Sequence, residues 1–340
     1  LATRCGLGAQ GQRPHRCHPG GCARCWRVMV TRPTGTETVS QALDALMQAV
    51  DLGARGRYIC AWRRLECIDE RDAMASQAHS TWGSHYRQIG ALDLARRHDE
   101  RAVELAEDDL AAGDAWIGLA ADAIAEGAAA HAAEHLCRVA EVLERLDDRG
   151  CAGDSGDSGD AGDAQSVDVD SNESRIDSVQ RPWRIRVRAA WVTSELALLN
   201  DDANSAVDHA RIAMELSATR STRHRLKSEA VLAASLLASG RADEAARICE
   251  RLGVEVVRLG WVSLMWPVAL IAVAARQAAP KLLVSTDLVR QGAWATRLIE
   301  AHLPSGRSGS HPGDLGRTAD LAARWGERRD IAHLRALSGR

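Results

Sequence analysis

The feature that most constrains this chain is a five-residue step from a helix-breaking residue to alanine, returning at near-regular intervals. It stands at Gly56/Ala61, Gly90/Ala95, Gly127/Ala132 and Gly240/Ala245, and Asp201/Ala206 repeats it with aspartate in the glycine place. The alanines follow one another at 34, 37, 74 and 39 residues. The segment Trp116 to Val139 shows what lies around each step. Trp116, Leu119, Ala120 and Ala123 share one helical face, Gly127 breaks that helix, and Ala132, Leu136 and Val139 restart the apolar stripe on a second helix. Both stripes advance by three or four residues, the period of an amphipathic helix.

This stretch resembles a tetratricopeptide (TPR) unit, whose pattern is Trp-x2-Leu-Gly-x2-Tyr followed by Ala-x3-Phe. Trp116, Leu119, Ala132 and Leu136 occupy those places, with Ala120 for Gly and Ala123 for Tyr. A second unit carries Gly83, Tyr86, Gly90 and Ala95, and a fifth carries Ala233, Leu236, Gly240, Arg241, Glu244 and Ala245. The first and fourth match less closely. The place usually held by Phe is taken by Leu65, Asp99, Leu136, Ala210 and Cys249 in turn, and Asp99 departs sharply. The resemblance covers residues 39–260. It implies an all-α fold, a right-handed α-solenoid of about 5–7 stacked helical hairpins. It also implies that each anchor alanine packs between the two helices of its hairpin.

Composition agrees with an all-helical chain. Ala, Leu, Arg and Glu are abundant and form helices readily, Phe is absent, and Tyr58 and Tyr86 are the two tyrosines. Lysine occurs only at Lys227 and Lys281, the arginine-rich skew of a GC-rich bacterial coding sequence. The net charge of −3 decides nothing about nucleic acid. Nine cysteines at irregular spacing do not form a disulfide framework; Cys60, Cys67, Cys137 and Cys249 are expected as small core residues of a protein in the reducing cytoplasm. The longest apolar run, Trp261 to Ala275, contains Ser263 and Pro267. It falls short of the roughly 20 residues that cross a bilayer and is expected as a buried helix, with no membrane insertion.

The expected organisation follows. Residues 1–38 are a disordered or mis-assigned extension, with five arginines and no acid among the first 28. No apolar signal run follows this basic segment, and Met29 is expected as the true start. Its Cys17, Cys22 and Cys25 beside His15 and His18 are a rival zinc knuckle, but lack a second ligand pair. Residues 39–146 hold repeats one to three. Residues 147–181 form an acidic Asp/Gly/Ser insert, too poor in apolar residues to offset its ordering entropy. Its Gly153–Gly156 and Asp168–Asn172 stretches resemble a protease loop and a calcium loop only superficially, since Glu173 and Val179 replace the residues a calcium loop needs. Residues 182–260 hold repeats four and five. Residues 261–340 are degenerate hairpins with helices over 266–279 and 287–303, a loop over 304–313, and a polar cap supplied by Arg324, Glu327, Arg328, Arg329 and Asp330.

The sharpest enzymatic motif is His131-x-x-Glu134-His135, the H-x-x-E-H pattern of a zinc-dependent hydrolase. It flanks the anchor Ala132, no third ligand can be placed, and the histidines are expected to point to solvent, so no enzyme, metal or cofactor is expected. The TPR resemblance implies instead that first helices line a concave groove. It places Gln77, Ser80, Ser84, Arg87 and Gln88 there in the second unit, Asp114 and Ile117 in the third, Arg188, Trp191, Glu195 and Leu198 in the fourth, and Lys227 in the fifth. The family's Lys/Asn clamp for a peptide carboxylate is unmatched. Basic clusters at Arg181, Arg184, Arg186, Arg188 and at Arg220, Arg223, Arg225, Lys227 have little aromatic interleaving; they read as solvated faces and argue weakly for nucleic acid. The expected function is a cytoplasmic, non-catalytic protein or peptide-binding scaffold or adaptor. The alternative is a regulatory sensor module binding a small ligand or peptide.

Overall fold

The computed structural model describes residues 35–153 and 181–279. Among these it contains eleven helices and no strand: α1 (Gly35–Ala54), α2 (Tyr58–Leu65), α3 (Ala75–Gln88), α4 (Leu92–Glu104), α5 (Asp109–Ala125), α6 (Ala129–Gly153), α7 (Pro182–Leu199), α8 (Ala203–Ser217), α9 (Thr222–Ala238), α10 (Ala242–Leu259) and α11 (Val262–Ala278).

The glycine steps are helix-terminating turns. Gly56, Gly90, Gly127 and Gly240 have φ of 72°, 80°, 74° and 80°, and Asp201, in the glycine place, has φ of 59°. This left-handed conformation is open to glycine and tolerable for aspartate. At each turn the residue itself donates to the carbonyl three positions back, and its successor donates five positions back, as Gly90 does to Arg87 and Ala91 to Tyr86. These paired bonds satisfy the carbonyls that a helix end leaves open. Each turn therefore reverses the chain in three residues and lays the next helix on the previous one. The five anchor alanines, Ala61, Ala95, Ala132, Ala206 and Ala245, are all 0% exposed. A methyl group there allows two helices to approach closely.

Consecutive helices pack in pairs: α1 with α2, α3 with α4, α5 with α6, α7 with α8, and α9 with α10. The odd-numbered helices also pack on one another in sequence, from α1 through α3, α5, α7 and α9 to α11. The last described helix then returns to touch α1. Arg55 donates to the Leu259 carbonyl (3.4 Å), and Arg223 donates to the Val50 carbonyl (3.3 Å).

Asp99 fills the place where an aromatic was expected. It is 0% exposed and lies against Gly83 of α3 and Gly118 of α5, where an added Cβ would stand under 3.0 Å from its carboxylate. Arg87 of α3 donates to Asp99 (2.6 Å), to Asp122 of α5 (2.9 Å) and to the Gly118 carbonyl (3.0 Å). Three helices thus meet on one guanidinium. Burial holds the Asp99 carboxyl protonated up to about 8, against the pull of Arg87, with the Asp122 charge adding to the rise. Asp122 is raised as well, again chiefly by burial. Among the described residues, Asp99 Oδ1 and Asp122 Oδ2 are buried without a hydrogen-bond partner, so the two carboxyls crowd one guanidinium.

Several boundaries differ from expectation. Helix α1 begins at Gly35, four residues before the expected first repeat, and α6 continues to Gly153, into the segment expected as insert. Helix α11 begins at Val262 rather than Trp266 and carries Pro267 inside it; as the sixth helical residue, Pro267 gives up one backbone bond. Of the four cysteines expected in the core only Cys249 is buried; Cys60 is half-buried, Cys67 is exposed beyond the end of α2, and Cys137 is exposed on α6. The zinc-knuckle cysteines, residues 154–180 of the acidic insert, and the helices, loop and cap expected after residue 280 lie outside the described residues.

Gly118→Ala should lower stability by about 2 kcal/mol in urea denaturation, because overpacking against Asp99 outweighs alanine's helix propensity. A second expectation concerns pH. A carboxyl whose folded pKa is raised stabilises the fold fully below its unfolded pKa, and that stabilisation fades as pH rises through the folded value. Asp99→Asn should therefore lie within about 1 kcal/mol of the parent at pH 5 and gain relative to it as pH rises through about 8. Urea titrations of both proteins across this range provide the check.

Candidate ligand-binding groove

The sequence places Arg184, Arg188, Trp191, Glu195 and Leu198 at alternating four- and three-residue steps along α7, so they share a face. Arg223 and Lys227 share a face of α9 in the same way. The packing of odd-numbered helices brings these faces beside Asp114 of α5 and the end of α1. Asp114 is 4% exposed and receives two arginines of α7, Arg184 at 3.1 Å and Arg188 in a close ion pair. Arg223 reaches the Val50 carbonyl across the closure between α9 and α1. Lys227 makes no hydrogen bond or ion pair among the described residues; its ammonium lies 4.6 Å from the centre of the Trp191 ring, a cation–π contact.

Trp191 is rooted in apolar packing with Val187, Ala190, Ala210 and Val231, and its indole N–H donates to Ser228 (2.8 Å). His224 stacks on Trp191 (centroids 5.4 Å apart) and meets the edge of Trp183 at 5.0 Å. The Arg220 guanidinium lies 5.9 Å from the centre of the Trp183 ring. Two tryptophans, a histidine and five cations therefore border one half-buried region.

Its electrostatics follow from crowding. Burial pushes Arg184 and Arg188 down to about 10. Burial and the neighbouring Arg184, Arg223, Arg188 and Lys227 charges push His224 down to about 2, so it is neutral at physiological pH. Burial also lowers Lys227, opposed by the Glu195 charge. Cations grouped in a partly desolvated cleft raise one another's cost unless an anion joins them.

The expected groove residues divide into two sets. Ser84, Arg87, Gln88, Arg188, Glu195, Leu198 and Lys227 are half-buried. Gln77, Ser80, Asp114, Ile117 and Trp191 are buried. Ile117, at 1% exposure, belongs to an apolar core with Val139, Ile185 and Val192 and offers no surface. Arg87 directs its hydrogen bonds into the Asp99–Asp122 network, while Gln88 accepts from Tyr58 (2.8 Å) and donates to Ser84 (3.1 Å). Among the described residues, Gln77 Oε1 and Ser80 Oγ are buried without a hydrogen-bond partner. The basic clusters are not solvated faces throughout: Arg184, Arg188 and Arg223 turn inward, whereas Arg225 pairs with Glu229 and Glu255. Sequence spacing marked Arg223 as basic but gave no sign that α1 would face it.

A second cleft, of about 210 Å3, lies between the ends of α2, α3 and α4, lined by Leu65, Glu70, Ala78, His79, Trp82 and His98. His79 and His98 approach Nδ1 to Nδ1 at 3.1 Å, and His98 stacks on Trp82 and Tyr86. Burial and the neighbouring His79 push His98 down to about 4. Sequence reading missed this pair because the two histidines lie 19 residues apart, on different helices.

In the H-x-x-E-H motif, His131 and Glu134 are exposed. His135 is half-buried and stacks on Trp116, with ring centres 5.5 Å apart. Among the described residues no group of three or more His, Cys, Asp or Glu side chains is placed to hold a metal ion, and no helix is long and apolar enough to cross a membrane. Compared with family models and with curated proteins, the chain matches none.

Asp114→Ala should destabilise the fold by about 3 kcal/mol in urea, because it leaves two crowded arginines without their carboxylate. Adding Arg188→Met should restore part of that loss.

Proposed function

We propose that this chain is a non-catalytic binding protein of TPR-like stacked helical hairpins, an α-solenoid whose first helices receive a protein or peptide partner. The observation that carries this reading is the polar, charged and half-buried face formed where α7 and α9 meet α5 and α1. A face needed only for packing would be apolar, because buried charge costs more than it returns without precise pairing. Here Arg188, Glu195, Arg223 and Lys227 are retained beside Trp191, and arginine and tryptophan are enriched where binding energy concentrates. An extended or helical segment laid across such a face would be held by aromatic contacts and a few charges.

The sensor reading, in which the occupant is a small ligand, draws support from one further observation. The return of α11 to α1, with the Arg55–Leu259 and Arg223–Val50 bonds, bounds the groove on the side where an open array would be accessible. Enclosure suits a ligand whose surface is to be largely covered.

Capture from lysate of the source organism with the full-length chain tests the groove. Lys227→Glu should reduce retention of a specific partner about tenfold through charge reversal. Val254→Asp, at a site 74% exposed on α10, should leave retention unchanged. Equal loss in both variants, or in neither, would move binding off this face.

A further inference from the structure

The groove reading leaves open which chemical group the α1/α7/α9 end recognises. Two of its cations stand out. Arg223 has the Val50 carbonyl as its hydrogen-bond acceptor and makes no ion pair among the described residues. Among the described residues Lys227 has the Trp191 ring beneath it, with the charge of Glu195 and those of Arg188, Arg87 and Arg223 nearby. Beside them, Arg188 already shares Asp114 with Arg184, so that carboxylate has little left to offer. Asp51, the other acid whose field reaches Arg223, is held by Arg55 at 2.9 Å.

Helix polarity sharpens the anomaly. Arg184 lies in the first turn of α7, and Arg223 with His224 in the first turn of α9. Neither first turn contains an acid. The N-terminal end of a helix carries roughly half a positive charge and disfavours cations. A fold that needed Arg223 only for packing would hold it at an unfavourable helix end, in partial desolvation, without a carboxylate partner among the described residues. A bound anion removes all three costs together, since guanidinium forks and an ammonium are donors that oxyanions take.

We propose that this end of the groove binds a phosphate monoester, gripped by Arg223 and Lys227 and flanked by Arg188. A doubly charged tetrahedral group fits better than a carboxylate. Two cations without ion-pair partners among the described residues stand four residues apart on α9, one an ammonium and one a planar fork. Trp191 is buried beneath Lys227 and His224, so half-buried Trp183 is the ring left to border the part of the ligand carrying the phosphate. The proposal rests on the groove being the binding surface and specifies the group it anchors.

Isothermal titration of the full-length protein tests it, with inorganic phosphate, a short phosphoserine peptide, adenosine monophosphate, the unphosphorylated peptide and acetate. Saturable binding of the phosphate-bearing probes, absent for acetate and the plain peptide and weakened by salt, is expected. The tighter of peptide and nucleotide identifies the carrier. Lys227→Met and Arg223→Gln should each weaken binding about tenfold. Glu195→Gln should tighten it by removing a competing negative charge, a gain that a purely structural role would not produce. Arg247→Ala, on the exposed face of α10, should change nothing. Circular dichroism melts of each variant separate lost binding from lost fold, and Lys227→Met, which removes no hydrogen bond, keeps the test valid if Arg223→Gln fails to fold. No saturable phosphate binding at millimolar concentration, equal binding of acetate, or unchanged affinity in folded Lys227→Met would overturn the proposal. A partner still lost in Lys227→Glu capture, without phosphate binding, would overturn this inference while leaving the groove reading standing.

Discussion

The N-terminal half of this structure depends on one guanidinium. Arg87 of α3 holds Asp99 of α4 and Asp122 of α5, so three successive helices share a charged centre where an aromatic side chain would otherwise interlock them. Such a centre is stable only if its charges balance and its surroundings fit closely. Burial raises both carboxyls, which lessens the negative charge facing Arg87, and Gly83 and Gly118 leave room for the Asp99 carboxylate. The glycines and the aspartate are therefore one device spread over three helices. In the C-terminal half a smaller polar knot has an equivalent place, where Ser194 of α7 donates to the Ala206 carbonyl of α8 (2.8 Å) and meets Ser235 of α9 (3.0 Å). It bears no charge and needs no compensating glycines.

These centres join odd-numbered helices to one another, and that packing gathers the charges of α7 and α9 beside α5 and α1. Asp114 of α5 can receive Arg184 and Arg188 of α7 because the two helices pack directly although the chain between α6 and α7 includes a long acidic stretch. Arg223 reaches Val50 because the chain path returns on itself. Arg87 with its carboxylate partners and the cations Arg223 and Lys227 thus lie on different helices of the described chain. Arg87 is enclosed by two carboxylates, whereas Arg223 and Lys227 have no carboxylate partner among the described residues.

Much of the fold was legible in the sequence. The five glycine-place residues carry the positive φ that the repeated step required, and the five alanines are fully buried. Asp201 was legible as a turn residue only through its register with the glycines, since aspartate alone signals many other structures. Element ends were less legible: α1 starts early, α6 runs long and α11 begins before Pro267, because helix termini respond to caps and neighbours that periodicity does not encode. The groove was legible in part. The TPR resemblance placed Arg188, Glu195 and Lys227, which are half-buried, but also Ile117, which is core, and Arg87, which is committed to Asp99 and Asp122.

The sequence by itself determined the elements and their order: where the chain reverses, which face of each helix is apolar, and where small residues permit close approach. These are local properties, set by backbone sterics and helical period over a few residues. Only the tertiary structure decided what each polar residue does. Asp99 looked like a packing defect and is the partner of an arginine on another helix; Arg223 looked like a solvated charge and lies against the first helix of the array. A charge takes its role from the dielectric and the counter-charges around it, and those are supplied by residues far away in the chain, brought close only when the helices pack.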